Sequence, residues 1–225
     1  MSNILICDDE KDIVSALRIC LAAEGYEIFE AYNGMEALNV IRQNDIHLVL
    51  LDIMMPEMDG ISTLAKIREN YNMPVLFISA KSEDADKILG LNIGADDYIT
   101  KPFNIIEVVA RVKSNLRRYM RLGSNVSGSS RIEIGGLCLD DSEKTVTADG
   151  EEINLTPTEY EILKLLMKNP GKVFSPREIY EKVWKETLLG SENTVAVHIR
   201  HLREKLEINP ADPRYIKVVW GQGYK

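Results

Sequence analysis

HLVLLDIMMPEMDG, residues 47 to 60, is an apolar run that stops on a carboxylate, Asp52, and then turns through Pro56 and Gly60. A short run apolar on both faces and bounded by turn residues predicts a buried strand of a parallel sheet. Alone, an aspartate at the end of such a strand can be no more than the cap of the following loop. What it does depends on what the rest of the chain places beside it.

Four further runs share this character: NILIC at 3–7, YEIFE at 26–30, PVLFIS at 74–79 and DYIT at 97–100. Helix-period segments lie between and after them at 13–23, 35–42, 61–69, 84–92 and 105–118. Strands alternating with helices predict an α/β doubly wound domain, a five-stranded parallel sheet with right-handed crossovers and both faces covered. In such a sheet, functional groups gather beyond the carboxyl ends of the strands.

The stretch GSNVSGSS, 123–130, is small, polar and aperiodic, and reads as a flexible linker. It separates an N-terminal domain, 1–122, from a C-terminal one, 131–225. In the latter, RIEIGGLCLDD and KTVTADGEEINL predict β-hairpins, the second with an Asp149-Gly150 turn suited to type I′. TPTE at 156–159 and SPRE at 175–178 are capping boxes with Pro at the first helical position. A third helix runs from Asn193 to Glu207 with Val195, Ile199, Leu202 and Leu206 on one face, and RYIKVVWGQGYK predicts a terminal hairpin. Small strands, three helices and a hairpin make an α+β winged helix.

Composition bounds the function. Hydrophobic residues make up 45% and charged residues 28%, enough for a core and far from a disordered chain. No apolar run reaches the ~18 residues of a membrane span, and MSNILICDDE lacks the pattern of a secretory leader, so a cytoplasmic protein without membrane contact is expected. Cys7, Cys20 and Cys138 have no CxxC spacing and read as reduced core thiols. The net charge of −8 hides an asymmetry: beyond Thr194, Arg200, Arg203, Lys205, Arg214, Lys217 and Lys225 face only Glu204, Glu207 and Asp212.

Asp8 and Asp9 follow the first strand and Asp52 ends the third, which brings three carboxylates to one edge. They would repel one another without a cation. Mg²⁺ prefers a few carboxylates together with water and phosphate oxygens, and Mn²⁺ is an acceptable substitute. Ser79 ends the fourth strand with a hydroxyl and Lys101 follows the fifth with an ammonium, completing a site for a transferring phosphoryl group. On this reading Asp52 is a nucleophile. A haloacid-dehalogenase-like phosphatase would need a second Asp two residues on, where this chain has Met54.

The motifs DDE, LLDIMMPEMDG, ISAK and YITKPF resemble the receiver domain of two-component response regulators, and the whole chain is similar to OmpR/PhoB-type transcription factors. Within that family, the C-terminal helix and IKVVWGQGYK look most like Gram-positive regulators of the vancomycin-resistance type. The resemblance implies phosphoryl transfer to Asp52 from a sensor histidine kinase. It implies Mg²⁺ on Asp9, Asp52 and the Met54 carbonyl with Asp8 assisting, and a cis Lys101–Pro102 bond. Ser79 and Tyr98 become the switch pair, and Met54 and Lys81 flank the path of attacking water.

The resemblance further implies a homodimer formed on phosphorylation through the face of the fourth helix, fifth strand and fifth helix. Lys87, Asp96, Asp97, Glu107, Arg111 and Arg118 lie there, with Lys87–Glu107 and Asp97–Arg111 expected as pairs between subunits. The third C-terminal helix takes the role of recognition helix on promoter DNA arranged as direct repeats. Its candidate contacts are Asn193, Thr194, Val197, His198, Arg200, His201 and Arg203, with Lys217 from the wing. His201 stands where relatives commonly carry Arg, and it reads as a surface histidine; none of the three histidines is expected to have metal-ligand company. Trp220 is expected to pack under the hairpin, and residues 184–193 to form the loop that meets RNA polymerase or promoter backbone. The alternative is a phosphorylated signalling protein whose winged helix binds a protein partner, which would favour exposed apolar side chains over Arg200, Arg203 and His198.

Overall fold

A computed structural model describes residues 2–80, 94–122, 131–185 and 193–225. The chain divides into two compact units, Met1–Tyr119 and Met120–Lys225. The expected helix at 84–92, the linker at 123–130, and Lys81 and Lys87 lie outside the described residues.

The first unit runs β1 (Asn3–Cys7), α1 (Lys11–Ala23), β2 (Glu27–Ala31), α2 (Gly34–Gln43), β3 (Leu48–Asp52), α3 (Gly60–Arg68), β4 (Val75–Ser79), β5 (Asp97–Thr100) and all but the last residues of α4 (Ile105–Leu122). The strands form one parallel sheet in the order β2-β1-β3-β4-β5. Side chains alternate across a strand, so Ile4, Ile6, Leu48, Leu50, Leu76 and Ile78 share one face. There they pack with Val14, Leu17 and Leu21 of α1 and Val108, Val112 and Leu116 of α4. Leu5, Val49, Leu51, Val75 and Phe77 alternate with them and are fully buried. Removing each such apolar side chain from water is worth ~1.5–3 kcal/mol, which is why these strands read as continuous apolar runs.

The end of β3 is fixed by the turn that leads into α3. Glu57 adopts φ 64°, the chain reverses, and the Gly60 N–H donates to Ile53 O at 2.9 Å. Asp59 caps α3 by accepting from Ser62 N at 2.7 Å. A Cβ on Gly60 would lie 2.1 Å from Asp52 O, so only glycine lets α3 start against the strand.

The second unit contains an antiparallel sheet of β6 (Arg131–Ile134), β7 (Leu137–Asp140), β8 (Thr145–Ala148) and β9 (Glu151–Glu152). It continues with α5 (Pro157–Met167), α6 (Pro176–Trp184), α7 (Asn193–Leu206) and a hairpin of β10 (Val218–Val219) and β11 (Gly223–Tyr224). Asp149 and Gly150 have φ of 50° and 94°, the left-handed pair that a type I′ turn requires. Both capping boxes close, Thr156 with Glu159 and Ser175 with Glu178. Val195, Ile199, Leu202 and Leu206 enter the core with Trp184, Tyr180 and Phe174. Among the described residues no helix is long and apolar enough to cross a membrane.

Candidate functional site

The register of the parallel sheet builds the site. Cys7 pairs with Leu51, which sets Asp8 beside Asp52; Ile78 pairs with Asp52 and Ser79 with Thr100, which sets Ser79 and Lys101 one step further along the same edge. Asp8, Asp52 and Ser79 are all buried, whereas Asp9 is exposed. Lys101 Nζ lies 2.8 Å from Asp8 Oδ2 and 3.2 Å from Asp52 Oδ1, holding the two carboxylates together. The Lys101–Pro102 bond is cis, as the resemblance implies. Asp52 Oδ2 accepts from Met54 N at 2.8 Å, so both of its oxygens have fixed directions.

Burial pushes the Asp52 carboxyl up to about 6, against the pull of Lys101 and with the push of Asp8. For Lys101, burial works downward, but its hydrogen bonds to Asp8 and Glu10 and the charges of Asp52 and Asp8 outweigh it and hold the ammonium above its ordinary range. Glu10 is the partner that sequence reasoning missed: its Oε1 sits 3.0 Å from Lys101 Nζ. The adjacent DDE triplet was its only signal. Of the oxygen ligands expected for a hard divalent ion, Asp8 and Asp52 are brought together on Lys101, while Asp9 is exposed beside them. Cys7 lies behind this edge, its thiol pushed far up by burial and by Asp8, an inert core group as expected.

Of the charges expected at the dimer face, those among the described residues are differently engaged. The Asp97–Arg111 pair expected between subunits is made within the chain, at 2.8 Å, and Arg111 also reaches Glu107 at 2.9 Å. The neighbouring β5 and α4 bring Asp97 and Arg111 within side-chain reach, so no second subunit is needed. Asp96 is fully buried and accepts from Arg68 Nη2 at 2.9 Å and Val75 N at 3.0 Å, a core tie and not a surface charge. Arg118 is also buried, with Ser114 and Asn115 among its partners. Tyr98 is half-buried.

In the second unit, Arg200 is exposed on α7 and Lys217 on the hairpin, while Thr194 and Val197 are buried and the Asn193 side chain lies outside the described residues. Arg203 turns inward, its Nε donating to Ile216 O at 3.0 Å. His198 and His201 do not present themselves to solvent as expected. The His198 ring lies 5.7 Å from that of Trp184, and His201 Nδ1 lies 3.7 Å from Glu159 Oε1, so the helix face carrying them is turned to α5 and α6. They also have metal-ligand company, in Glu159. Trp220 is 90% exposed and not packed under the hairpin. The hairpin has two residues per strand, and its inner edge is already filled by Phe174, which exchanges backbone hydrogen bonds of 2.8 and 2.9 Å with Tyr224.

Comparison with known proteins agrees with both halves. Residues 4–113 match the response regulator receiver domain, and residues 150–225 match the C-terminal domain of transcriptional regulatory proteins. The chain is 44% identical to the regulatory protein VanRc of Enterococcus gallinarum, over 99% of this chain and 97% of that protein. It is 42% identical to VanR of Enterococcus faecium, over 99% and 97%. Among solved structures, the response regulator DrrB of Thermotoga maritima, an OmpR/PhoB homologue, is similar with a TM-score of 0.52 and 32% identity, covering 100% of this chain and 98% of that one. The C-terminal match favours DNA over a protein partner for the winged helix. With a receiver fold, its acidic edge and a winged-helix half matched along nearly the full length of these relatives, the chain belongs to the DNA-binding response regulators of the OmpR/PhoB type.

Proposed function

We propose that Asp52 accepts a phosphoryl group from a sensor histidine kinase, and that this modification controls how the chain, with domains at 1–122 and 131–225, engages promoter DNA. The observation that supports it most is Lys101 Nζ held between Asp8 and Asp52 at the carboxyl edge of the sheet. Asp52 Oδ1 is the attacking atom: its bond to phosphorus forms as the bond to the donor nitrogen breaks. Lys101 then has a phosphoryl oxygen in place of the carboxylate it now contacts, and the Ser79 hydroxyl donates to a second. Asp8, Asp9, Asp52 and the Met54 carbonyl would hold Mg²⁺, or Mn²⁺, which when bound neutralises negative charge on the phosphoryl group. The raised carboxyl of Asp52 fits this arrangement, since a cation among the acids favours its ionised, nucleophilic form.

The added charge draws Ser79 toward the phosphoryl group, and Tyr98 repacks with it. Dimerisation follows through the face of Lys87, Asp97, Glu107 and Arg111, where the intrachain Asp97–Arg111 pair competes with any pairing across the two-fold axis. On DNA, α7 lies in the major groove, with Arg200 and Lys217 on the duplex, and tandem half-sites one helical turn apart suit one subunit each; the segment 184–193 assigned to RNA polymerase begins at the buried Trp184 and at 186–192 lies outside the described residues.

Intact-mass analysis of wild type and Asp52→Ala after exposure to a small phosphodonor with Mg²⁺ tests the reading, with oligomeric state and DNA binding measured in parallel. Wild type gains one phosphoryl mass and dimerises, and Asp52→Ala does neither. A wild type that gains no mass, or a mutant that gains the same mass, overturns the assignment of Asp52.

A further inference from the structure

A second cluster of ligating groups lies in the C-terminal unit. His198 and His201 stand three residues apart on α7, a spacing that puts both rings on one helix face. Glu159, in the first turn of α5, meets them there. All three are buried, at 1%, 7% and 1% exposure for His198, His201 and Glu159, and their ligating atoms lie within 4.8 Å of one another.

The carboxylate is divided between two tasks. Oε2 accepts from Thr156 N at 2.8 Å in the capping box and from Lys205 Nζ at 2.7 Å. Oε1 is turned to His201 Nδ1 at 3.7 Å, too far for a hydrogen bond. Two ligands on one tetrahedral ion, each bonded at ~2.0–2.1 Å, stand about 3.3 Å apart, so a movement of a few tenths of an ångström closes this gap. The His198 ring is backed by Trp184, which is itself stacked on Tyr180 at 4.7 Å, so packing restricts its position.

We propose that Glu159, His198 and His201 bind a borderline divalent transition ion of the Zn²⁺ class, tying α7 to α5. Two imidazoles and one carboxylate are ligands for such ions and poor ones for Mg²⁺, which separates this site chemically from the all-oxygen edge around Asp52. Three protein ligands leave a fourth position for water. Lys205 is the competitor, because its ammonium neutralises the same carboxylate. With 36% of its side chain exposed, it can swing into solvent when the ion enters.

The test is a Co²⁺ titration of the full-length protein in excess Mg²⁺, read by visible d–d absorption, with Zn²⁺ added afterwards. Wild type gives a saturable one-equivalent signal that Zn²⁺ abolishes. His201→Arg and Glu159→Gln weaken Co²⁺ binding at least tenfold, and Lys205→Gln tightens it several-fold. Both weakening variants keep structural roles filled: an arginine at 201 can pair with Glu159, and glutamine serves a capping box. Circular dichroism melts verify that the variants fold. No saturable absorption, or equal affinity in wild type and His201→Arg, overturns the proposal.

Discussion

Asp52 is held in a form that costs stability when it ionises. Folding raises its carboxyl from an ordinary 3.8 to about 6, chiefly by burial, so the folded state binds that proton more tightly than the unfolded chain. The stability this contributes is complete below about pH 4 and is lost as pH rises through about 6. In metal-free protein Asp52→Asn removes the loss, which amounts to on the order of 3 kcal/mol at pH 7. Urea titrations of wild type and mutant at pH 4.5 and 7 check this, and parallel pH dependences for the two would contradict it. That Asp52, Lys101 and Ser79 come to one edge of the sheet was legible because each follows or ends a strand whose pattern is unambiguous. The partner of Lys101 that was missed, Glu10, belongs to a loop, where no periodicity says which way a side chain turns. His198 and His201 were misread for a related reason: a helix has more faces than two, and which intermediate face is covered depends on neighbours far away in sequence.

At the scale of elements, the turn between β3 and α3 is where a small change should travel furthest. A methyl group on Gly60 would meet Asp52 O and, at 2.9 Å, Ile53 Cα, both backbone atoms that can yield only by moving the strand end. Gly60→Ala is expected to cost ~1–3 kcal/mol, as overpacking does, and to slow phosphorylation by displacing Asp52. Thermal melts and a phosphorylation time course measure the two effects. A mutant with wild-type stability and rate would show that the turn relaxes freely. Among the described residues, strand and helix limits agreed with the sequence to within a few residues, because caps, glycines and prolines act locally and announce themselves. The Asp97–Arg111 pair did not announce itself as internal, since alternating charges on two elements look the same whether they pair with each other or across a dimer axis.

For the whole molecule, a net charge of −8 coexists with a basic end on the C-terminal unit. DNA affinity should therefore fall steeply with salt, and neutralising a phosphate-contacting cation should flatten that dependence by about one in the log–log slope. Arg200→Ala and Lys217→Ala are each expected to do so, measured by fluorescence anisotropy on promoter DNA at several salt concentrations; unchanged slopes would remove those residues from the interface. The same unit holds both tryptophans of the chain, in opposite surroundings: Trp184 is fully buried against Tyr180 and Trp220 is 90% exposed in the hairpin turn. Intrinsic fluorescence thus separates into two optical channels. Iodide quenching reads the hairpin through Trp220, while the iodide-resistant emission reports whether the winged-helix core is folded. The Asp52 half has no indole, so with excitation selective for tryptophan over its tyrosines a change in emission on phosphorylation records the signal arriving in the other half of the chain.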